Sequence, residues 1–346
     1  MQRQQQIENW LRQIYPETNF SLAPASADAS FRRYFRVQYD AAGTRLQTHV
    51  VMDAPPERED CRPWLAVQSL LQDAGVHVPE VLAQDLEQGF LLLSDLGQVS
   101  YLAALKPQSG QVTAQQAHPL YMDAMDTLVR LQSASRPGML PEYNRALLQR
   151  ELDLFPDWYV AKHLDVRLTD VQRDVLGHAF ERILAANLAE PQLFVHRDYH
   201  SRNLMLISAA GRTNPGVIDF QDAVYGPLSY DLVSLLKDAY IEWEEEQTLD
   251  WLIRYWEKAR QAGLPVRNDF GEFHRDYEWM GVQRHLKVLG IFARLYHRDG
   301  KDGYLKDMPL VAKYLRQACN RYRELGPLLK LLDTLENRAV QVGYSF

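Results

Sequence analysis

The chain has 346 residues, of which 46% are hydrophobic, and it carries a formal net charge of −7 at pH 7. This length suits two domains or one large two-lobed domain, and the acidic balance argues against a nucleic-acid partner, which would require a basic face. No apolar run approaches the ~18 residues that a membrane span requires, so no membrane partner is expected.

The opening residues and the cysteines are typical of a protein in a reducing compartment. The stretch MQRQQQIENW lacks the apolar segment of a secretory signal. Cys61 and Cys319 lie far apart in the sequence and form no metal-spaced pair, which predicts free thiols in a reducing compartment. We therefore expect a cytoplasmic protein, and we expect it to be a monomer.

The stretch before residue 100 has the pattern of a small β-rich lobe. A helical repeat of apolar residues from Ile7 to Ile14 predicts an opening amphipathic helix. A second helix is predicted to begin at about Pro63 and to end at Gly75. Strands are predicted from β-branched and aromatic residues over 31–39, 46–53, 80–85 and 90–96.

After residue 100 the apolar pattern becomes helical. Helices are predicted over about 118–134, 143–163, 168–188, 228–262, 270–297 and 308–334. They are interrupted once, by a hairpin-like insert in which two short apolar strands flank polar turns, QLFVHRDYHSRNLMLIS and GVIDFQDA. The predicted fold class is α+β, with a β-rich N-terminal lobe over 1–97 and a larger helical lobe over 98–346.

The polar turns of the insert contain a motif with a chemical meaning. In HRDYHSRNLM, Asp198 precedes Asn203 by five residues, and VIDFQ places Asp219 at the end of a predicted strand. This H-x-D-x-x-x-x-N pattern followed by a strand and D-F is the constellation of kinases. Asp198 would accept the proton of the attacking hydroxyl, while Asn203 and Asp219 would offer oxygen ligands to Mg²⁺ on the phosphates of ATP.

Two other interpretations of the motif are open at this point. His196, Asp198 and His200 have the donor types of a transition-metal site, but that reading leaves Asn203 and Asp219 unexplained. The residues are also compatible with a polar turn that arose by chance. The apolar strand and D-F at a suitable distance argue against chance.

The wider sequence resembles a known family. HRDYHSRNLM and VIDFQDAVYGPLSYDL are similar to the aminoglycoside phosphotransferase and choline kinase superfamily. Over nearly its full length, including VVMDAPPE, LLLSDLG and RHLKVLGIFARL, the chain resembles the bacterial anomeric kinases of N-acetylmuramate and N-acetylglucosamine used in cell-wall recycling. The resemblance implies a protein-kinase-like fold with a nucleotide-covering N-terminal lobe. It also implies ATP- and Mg²⁺-dependent phosphorylation of the anomeric hydroxyl to the 1-phosphate.

The same resemblance implies roles for residues around the motif. The three motif residues keep the roles given above, with Asp198 as the base. His200 and His196 are expected to order the loop rather than to take part in chemistry. Asp231, in SYDLVSLL, corresponds to the buried Asp that ties the catalytic loop to the helical core, although an ordinary helix N-cap explains it equally well.

The sequence departs from the protein-kinase pattern in its phosphate-binding elements. Protein kinases cover the phosphates with G-x-G-x-x-G and hold them with a lysine on a strand. This chain has no glycine before Gly43 and no lysine before Lys106, and Val51 or Met52 stands where that lysine belongs. Either other cations bind the phosphates, or the protein is a non-catalytic kinase-like binding protein. The intact motif argues against the second possibility.

Three arginines in DASFRRYFRV offer a replacement, because guanidinium groups suit phosphate oxygens. On an alternating strand Arg32 and Arg36 share one face, and these two are favoured as phosphate ligands. Arg33 shares the other face with Phe31 and Phe35, which we expect to be buried. With a serine beside them and, by family analogy, a hinge that binds the base, the predicted nucleotide-binding set is Ser30, Arg32, Arg33, Arg36, Ser94, Asp95 and Leu96.

The acceptor is expected to be a small molecule, because about a dozen residues between Asp219 and the helix near Asp231 are too few for a protein-kinase activation segment. The acidic run EWEEEQTLD (242–250) would attract a polycation, which keeps an aminoglycoside kinase as an alternative, along with a choline-type kinase. Aromatic side chains would stack on a sugar and cations would bind a lactyl carboxylate. The predicted acceptor-binding residues are Trp158, Arg150, Arg284 and Gln221.

Overall fold

The computed structural model describes residues 2–27, 31–41, 45–207 and 214–337. The chain forms two compact units, the first made of Met1–Ser100 and Leu204–Gln221, the second of Tyr101–Asn203 and Asp222–Phe346. The predicted boundary after residue 97 stays a prediction. Within the described ranges, no helix combines the length and the apolar character needed to cross a bilayer.

The first unit is built on a five-stranded antiparallel sheet. Up to residue 100 the elements are α1 (Gln2–Ile14), β1 (Phe20–Ala27), β2 (Arg33–Ala41), β3 (Arg45–Asp53), α2 (Cys61–Asp73), β4 (Val81–Asp85) and β5 (Phe90–Ser94). The strand order is β1-β2-β3-β5-β4. The apolar spacing of the sequence predicted one apolar face for helix α1, and α1 packs this face against the sheet. The resulting core includes Ile7, Leu11, Val37, Val51, Phe90 and Leu92.

The second unit begins with helices and one short strand. These are α3 (Tyr101–Leu105), α4 (Ala114–Ser133), α5 (Arg145–Leu152), a π-helical segment (Phe155–His163), α6 (Asp170–Leu188) and β6 (Gln192–Val195). Capping boxes start α4 and α6. The hydroxyls of Thr113 and Thr169 accept the backbone N–H of the glutamine three residues on, and the side chain of that glutamine accepts the backbone N–H of the threonine.

The remaining elements belong first to the first unit, over Leu204–Gln221, and then to the second unit. They are β7 (Leu204–Met205), β8 (Gly216–Val217), β9 (Val224–Pro227), α7 (Tyr230–Leu236), α8 (Glu245–Gln261), α9 (Phe270–Asp299), α10 (Met308–Arg321) and α11 (Gly326–Leu335). Strands β7 and β8 pair with each other, and Val217 donates its N–H to the carbonyl of His77 at 2.7 Å. This contact ties the returning segment to the first unit.

Three predicted helices are wrong in their continuity. The helix predicted over 143–163 is divided near Pro156, which has no N–H for the regular helical bond and is the second residue of the π-helical segment. The predicted 228–262 is two helices, α7 and α8, because the carboxylate of Asp238 accepts the N–H groups of Ser201 and Tyr240 and turns the chain between them. The predicted 308–334 divides before Gly326 and Pro327.

The strand predictions also need corrections. Strand β1 was absent from the sequence-based pattern, and β2 starts at Arg33 rather than at Phe31. The two strands of the predicted insert do not form a hairpin with each other. Strand β6 pairs with β9, and β8 pairs with β7, because the polar loop between them leads from one unit to the other.

Candidate active site

The loop from His196 to Asn203 is closed by hydrogen bonds to the backbone carbonyl of Asp198. The N–H of His200 donates to it at 3.0 Å, and the side-chain Nδ2 of Asn203 donates to it at 3.0 Å. The N–H of Asn203 in turn donates to the carbonyl of His200 at 2.9 Å. The turn therefore holds the side-chain amide of Asn203 with its nitrogen toward the loop. The amide oxygen, which is the atom that a hard cation prefers, points to the other side.

Asp231 lies below this loop and is fully buried. Its carboxylate accepts the backbone N–H of His196 at 2.6 Å and that of Arg197 at 3.0 Å. Asp231 stands inside α7, and Ser229 occupies the N-cap position, so the alternative of an ordinary N-cap is wrong. Burial raises the pKa of Asp231, although the charge of His196 and the two N–H groups favour its ionised form.

The two histidines of the motif contact the loop and its surroundings. His196 is buried, and its Nδ1 lies 3.2 Å from the N–H of Asp198 and accepts that bond. The ring of His200 meets the ring of Tyr240 edge-on, with 5.5 Å between centroids. Within the described ranges, no group of three or more His, Cys, Asp or Glu side chains is arranged around a common metal position. The structure therefore gives no support to the transition-metal alternative.

Two cations of α9, Arg284 and Lys287, act on the side chain of Asp198. The guanidinium Nη2 of Arg284 lies 3.7 Å from Oδ1 of Asp198, whose side chain keeps 43% of its surface exposed. Burial by itself would raise the pKa of Asp198, but the charges of Lys287 and Arg284 outweigh it and hold that pKa below its ordinary value. Asp198 is therefore ionised at neutral pH and able to accept a hydrogen bond from a hydroxyl group.

Asp219 belongs to the first unit, two residues after β8. Its backbone has φ of 64°, a left-handed conformation that is uncommon outside glycine and is often kept at functional positions. Its Oδ1 accepts a hydrogen bond from Nε2 of Gln221 at 2.8 Å. The predicted acceptor-binding residue Gln221 thus contacts the predicted metal ligand.

Asn203 and Asp219 belong to different units, and by their residue types they are predicted ligands of a magnesium ion. Asn203 supplies an amide oxygen and Asp219 a carboxylate, and Mg²⁺ is commonly held by one or two such ligands while phosphates and water complete its shell. Such a set does not require the cluster of three or more protein ligands that a structural metal site would show.

Each of the three predicted phosphate-binding arginines is already paired with a carboxylate. Their pairs are Arg32 with Glu59 at 3.4 Å, Arg33 with Asp53 at 2.5 Å and Arg36 with Asp95 at 2.6 Å. The predicted exposure is wrong. Arg33 has 52% of its side chain exposed, whereas Arg32 has 7% and Arg36 14%. Arg32 precedes β2, so the alternation of a strand does not apply to it.

The other predicted nucleotide-binding residues have definite places in the sheet. The expectation that Phe31 is buried is also wrong, since 58% of it is exposed. Val51 and Met52, which stand where a kinase lysine belongs, are fully buried. The hydroxyl of Ser94 accepts the N–H of Glu80 at 2.9 Å, and Leu96 is buried. Ser30 lies outside the described residues.

Asp95 joins two of the predicted sets. Both of its carboxylate oxygens accept bonds from the guanidinium of Arg36, at 2.6 and 3.0 Å, and Oδ1 also accepts the N–H of Gly97 at 2.9 Å. Burial alone would raise its pKa, but these bonds hold the pKa of Asp95 below its ordinary value. The pair fixes the chain at the end of β5, where the hinge was predicted.

The predicted acceptor-binding residues of the second unit differ in exposure. Trp158 is half-buried in the π-helical segment, while its neighbours Phe155 and Tyr159 are buried in the core and stack on each other with 5.2 Å between centroids. Arg150 is exposed on α5. Arg284 is buried, and its Nη1 donates to the carbonyl of Arg197 at 2.8 Å.

Sequence reasoning missed Glu151. It is buried on α5, where its Oε1 pairs with Nη2 of Arg197 at 2.5 Å and with Nζ of Lys287 at 3.0 Å. The signal was present in the sequence. Glu151 stands three residues after Leu148 and one before Leu152, on the apolar stripe of an amphipathic helix, where a carboxylate is buried only with partners.

A cavity of about 530 Å³ lies elsewhere in the second unit, where the first turns of α8 and α9 face α10. Its walls include Trp243, Phe270, His274, Glu278 and Tyr314. None of the predicted acceptor-binding residues lines it.

An ionised aspartate and an asparagine on one hydrogen-bonded loop, followed by an aspartate after a short strand, are the parts of a phosphotransferase. Residues 21–267 match the family described as "Phosphotransferase enzyme family", and the chain belongs to this family. Its predicted identity as an enzyme of this class is therefore confirmed.

Curated relatives cover all or nearly all of the chain. The chain is 52% identical to the N-acetylmuramate/N-acetylglucosamine kinase of Neisseria meningitidis serogroup B, over 100% of both sequences. It is 48% identical to the enzyme of the same name from Pseudomonas aeruginosa, over 97% of this chain and 98% of the relative. Among solved structures, it is similar to an ADP-bound aminoglycoside phosphotransferase, APH(2'')-Ib, with a TM-score of 0.57 and 17% identity over 90% of this chain and 96% of that one. The predicted α+β, kinase-like fold is confirmed.

Proposed function

We propose that the protein transfers the γ-phosphoryl group of ATP to the anomeric hydroxyl of N-acetylmuramate and N-acetylglucosamine. The product is the sugar 1-phosphate, and the reaction serves peptidoglycan recycling. The observation that carries this proposal is the identity of 52% over the full length to a kinase named for these two sugars. The catalytic loop supports it, because its hydrogen bonds and charges suit a hydroxyl acceptor.

In this proposal Asp198 is the base. An anomeric hydroxyl is more acidic than the other ring hydroxyls, so it donates a hydrogen bond to the ionised carboxylate without a strong base. Asp198 aims the hydroxyl oxygen at the phosphorus and receives its proton as the new bond forms. His196 and His200 keep the loop in shape. Positioning and neutralisation of charge account for most of the rate enhancement in such reactions.

Asn203 and Asp219 would hold Mg²⁺, which neutralises charge on the phosphate oxygens when it is bound. Their contribution as residues is to present oxygen atoms in fixed orientations. Nδ2 of Asn203 is held by the carbonyl of Asp198, and Oδ1 of Asp219 by Gln221. These contacts reduce the rotamer freedom that binding would otherwise remove.

The nucleotide is proposed to contact Ser94, Asp95 and Leu96 through the chain at the end of β5. Its phosphates are proposed to bind Arg33 and Arg36 of β2 and Arg32, which precedes that strand, together with Ser30. Of these, Arg33 is the one whose guanidinium group is half-exposed, and its partner Asp53 keeps a second cation, Arg3, at 2.5 Å. An exchange of Arg33 from Asp53 to a phosphate would therefore not leave a buried carboxylate unpaired.

The acceptor set remains Trp158, Arg150, Arg284 and Gln221, with one refinement. Arg284 is occupied by the loop and by Asp198, so the exposed Arg150 is the more available cation for the lactyl carboxylate of N-acetylmuramate. A matched pair of substrates tests this, because N-acetylglucosamine lacks the lactyl group. Replacement of Arg150 by glutamine is expected to raise KM for N-acetylmuramate and to leave KM for N-acetylglucosamine unchanged.

An aminoglycoside kinase is the second candidate, motivated by the acidic run 242–250. The structure weakens that motive, because several of these carboxylates are already neutralised. Glu242 pairs with Lys313, Glu245 with Arg321, and Asp250 with Arg254. A polycation would meet less negative charge than the sequence suggests.

The deciding experiment measures ATP consumption with Mg²⁺ against N-acetylmuramate, N-acetylglucosamine, glucose, kanamycin and choline. ³¹P NMR then locates the phosphate on any product. Phosphate on the anomeric carbon of an N-acetyl amino sugar is the expected result. Turnover of kanamycin or choline alone would overturn the proposal, and so would nucleotide binding without turnover of any acceptor.

A further inference from the structure

Arg197, the residue before Asp198, has a left-handed backbone with φ of 77°. An arginine avoids this region because its Cβ crowds the carbonyl oxygen, and such residues persist only where the surroundings over-determine them. The conformation of Arg197 decides the direction in which the next side chain leaves the loop, and that side chain is Asp198.

Three side chains hold Arg197, and we name them the Arg197 brace: Glu151, Asp231 and Arg284. Asp231 accepts the N–H of Arg197 at 3.0 Å, and Nη1 of Arg284 donates to its carbonyl at 2.8 Å. Glu151 accepts a bond from the guanidinium Nη2 of Arg197 at 2.5 Å. The backbone of Arg197 is thus held on both sides and its side chain at the far end.

The brace is buried and balanced in charge. Glu151 has 6% of its side chain exposed and Arg284 has 7%. Glu151 also binds Lys287 at 3.0 Å, and the phenol of Tyr143 donates to its other oxygen. The hydroxyl of Tyr230 lies 2.8 Å from Nζ of Lys287 and 3.2 Å from Nη1 of Arg284, so it joins the two cations of α9. A buried network whose charged groups are paired favours one geometry, and within the described residues Nε of Arg197 is the atom of this arginine that has no hydrogen-bond partner.

We propose that Glu151 is a positioning residue for phosphoryl transfer, which acts through Arg197 to fix the direction of Asp198, with Arg284 in the same role on the Arg197 carbonyl. This rests on the proposed function of Asp198 as base. Glu151 is buried and contacts the loop through Arg197, so its loss is expected to lower kcat rather than to weaken binding. Misplacement of a catalytic group by about 1 Å lowers a rate on the order of 10²-fold.

The test replaces Glu151 by glutamine in the full chain, which keeps the shape and removes the charge. We expect kcat to fall by about tenfold to a hundredfold, while KM for the sugar and for ATP stays within about twofold of the original value. The matched control is Asp333→Asn, because Asp333 and Arg316 form a comparable pair at 2.5 Å with 12% and 16% of their side chains exposed. D333N is expected to leave kcat unchanged.

A second variant separates positioning from folding. Arg197→Gly adopts φ near 77° without strain, so it removes the brace contacts of the side chain without disfavouring the loop backbone. We expect R197G to fold and to lose kcat as E151Q does. Unchanged kcat in R197G or in a folded E151Q would overturn the proposal, and so would an equal loss in D333N.

Hydrogen exchange of the 196–203 segment gives a readout that does not depend on activity. E151Q is expected to exchange faster there than the unmodified protein, and D333N is not. Faster exchange without any sugar turnover by the unmodified protein would mean that the proposed function is wrong while the brace exists. Unaltered exchange in E151Q would overturn the brace itself.

Discussion

The carboxylate of Asp231 accepts the backbone N–H of Arg197 at 3.0 Å, across 34 residues of sequence. The same carboxylate accepts the N–H of His196 at 2.6 Å. A buried acceptor in α7 therefore takes two donors from the loop that carries Asp198. Since an unpaired buried N–H is costly, this bond couples the shape of the loop to the stability of the second unit.

Replacement of Asp231 by asparagine is expected to lower stability by about 2–5 kcal/mol, because an amide presents one oxygen to two donors and its NH₂ group faces an N–H. Thermal unfolding would show the loss. Asp269→Asn is the control, since asparagine caps a helix as well as aspartate and Asp269 caps α9. Equal unfolding temperatures for the two variants would contradict this account of Asp231.

Replacement of Asp198 by asparagine is expected to lower kcat by about 10²–10⁴-fold, the range for loss of a general base. The amide of asparagine is close in shape to the carboxylate of aspartate, and Asp198 is proposed to contact the acceptor hydroxyl. The Kd for the nucleotide should therefore change little. Kinetics of product formation and a separate titration with ATP measure the two quantities. Activity that survives this change would show that another group takes the proton.

The buried Glu190 predicts a dependence of stability on pH. Burial raises its pKa to about 8, while its carboxylate accepts the N–H and the hydroxyl of Ser229. Between its ordinary pKa of 4.5 and 8, the unfolded chain releases the proton and the folded chain keeps it. The stability contributed by protonated Glu190 is therefore complete below pH 4.5 and is lost as the pH rises toward 8.

Glu190→Gln removes this titration. The free energy of unfolding of the unmodified protein should fall relative to the variant by roughly 1.4 kcal/mol per pH unit in that window, as an upper value. Urea unfolding of both proteins near pH 5 and near pH 8 checks it. If the two proteins lose stability in parallel, the pKa of Glu190 is not raised.

The arginines of β2 are expected to separate into two kinds. Arg33→Gln should raise KM for ATP about tenfold through loss of a charge-assisted phosphate contact, with a stability change below about 1 kcal/mol because Arg33 is half-exposed and the buried Asp53 keeps Arg3 as a partner. Arg36→Gln should lower the unfolding temperature, since it leaves Asp95, with 5% of its side chain exposed, without its bidentate partner. Arg62→Gln, at an exposed pair, is the control for both measurements.

Much of the fold was predictable from local pattern. Apolar spacing predicted α1, and the alternation of residues in β2 and β3 predicted strands, because burial on one face imposes a period that short segments already show. Helix continuity was less predictable. The turn between α7 and α8 depends on Asp238, whose partner Ser201 lies 37 residues away and leaves no trace in the helical period.

In the candidate site too, local pattern predicts some features, whereas contacts between residues far apart in the sequence are not predictable. Asp198, Asn203 and Asp219 were proposed from spacing, since a catalytic loop is a short segment whose residue types are restricted by chemistry. The partners of the arginines were not. Arg36 meets Asp95 across 59 residues, and Arg33 meets Asp53 across 20 residues.

The sequence alone determined the family and the fold class, and it predicted the position of the candidate catalytic motif, because these depend on residue types at short spacing. Only the tertiary structure decided which charges meet. Glu151 on α5 and Lys287 on α9 lie far apart in the chain, yet packing brings them to one oxygen-to-nitrogen distance of 3.0 Å beneath the loop. A buried ion pair forms where two helices happen to bring opposite charges together, and no local pattern specifies that meeting.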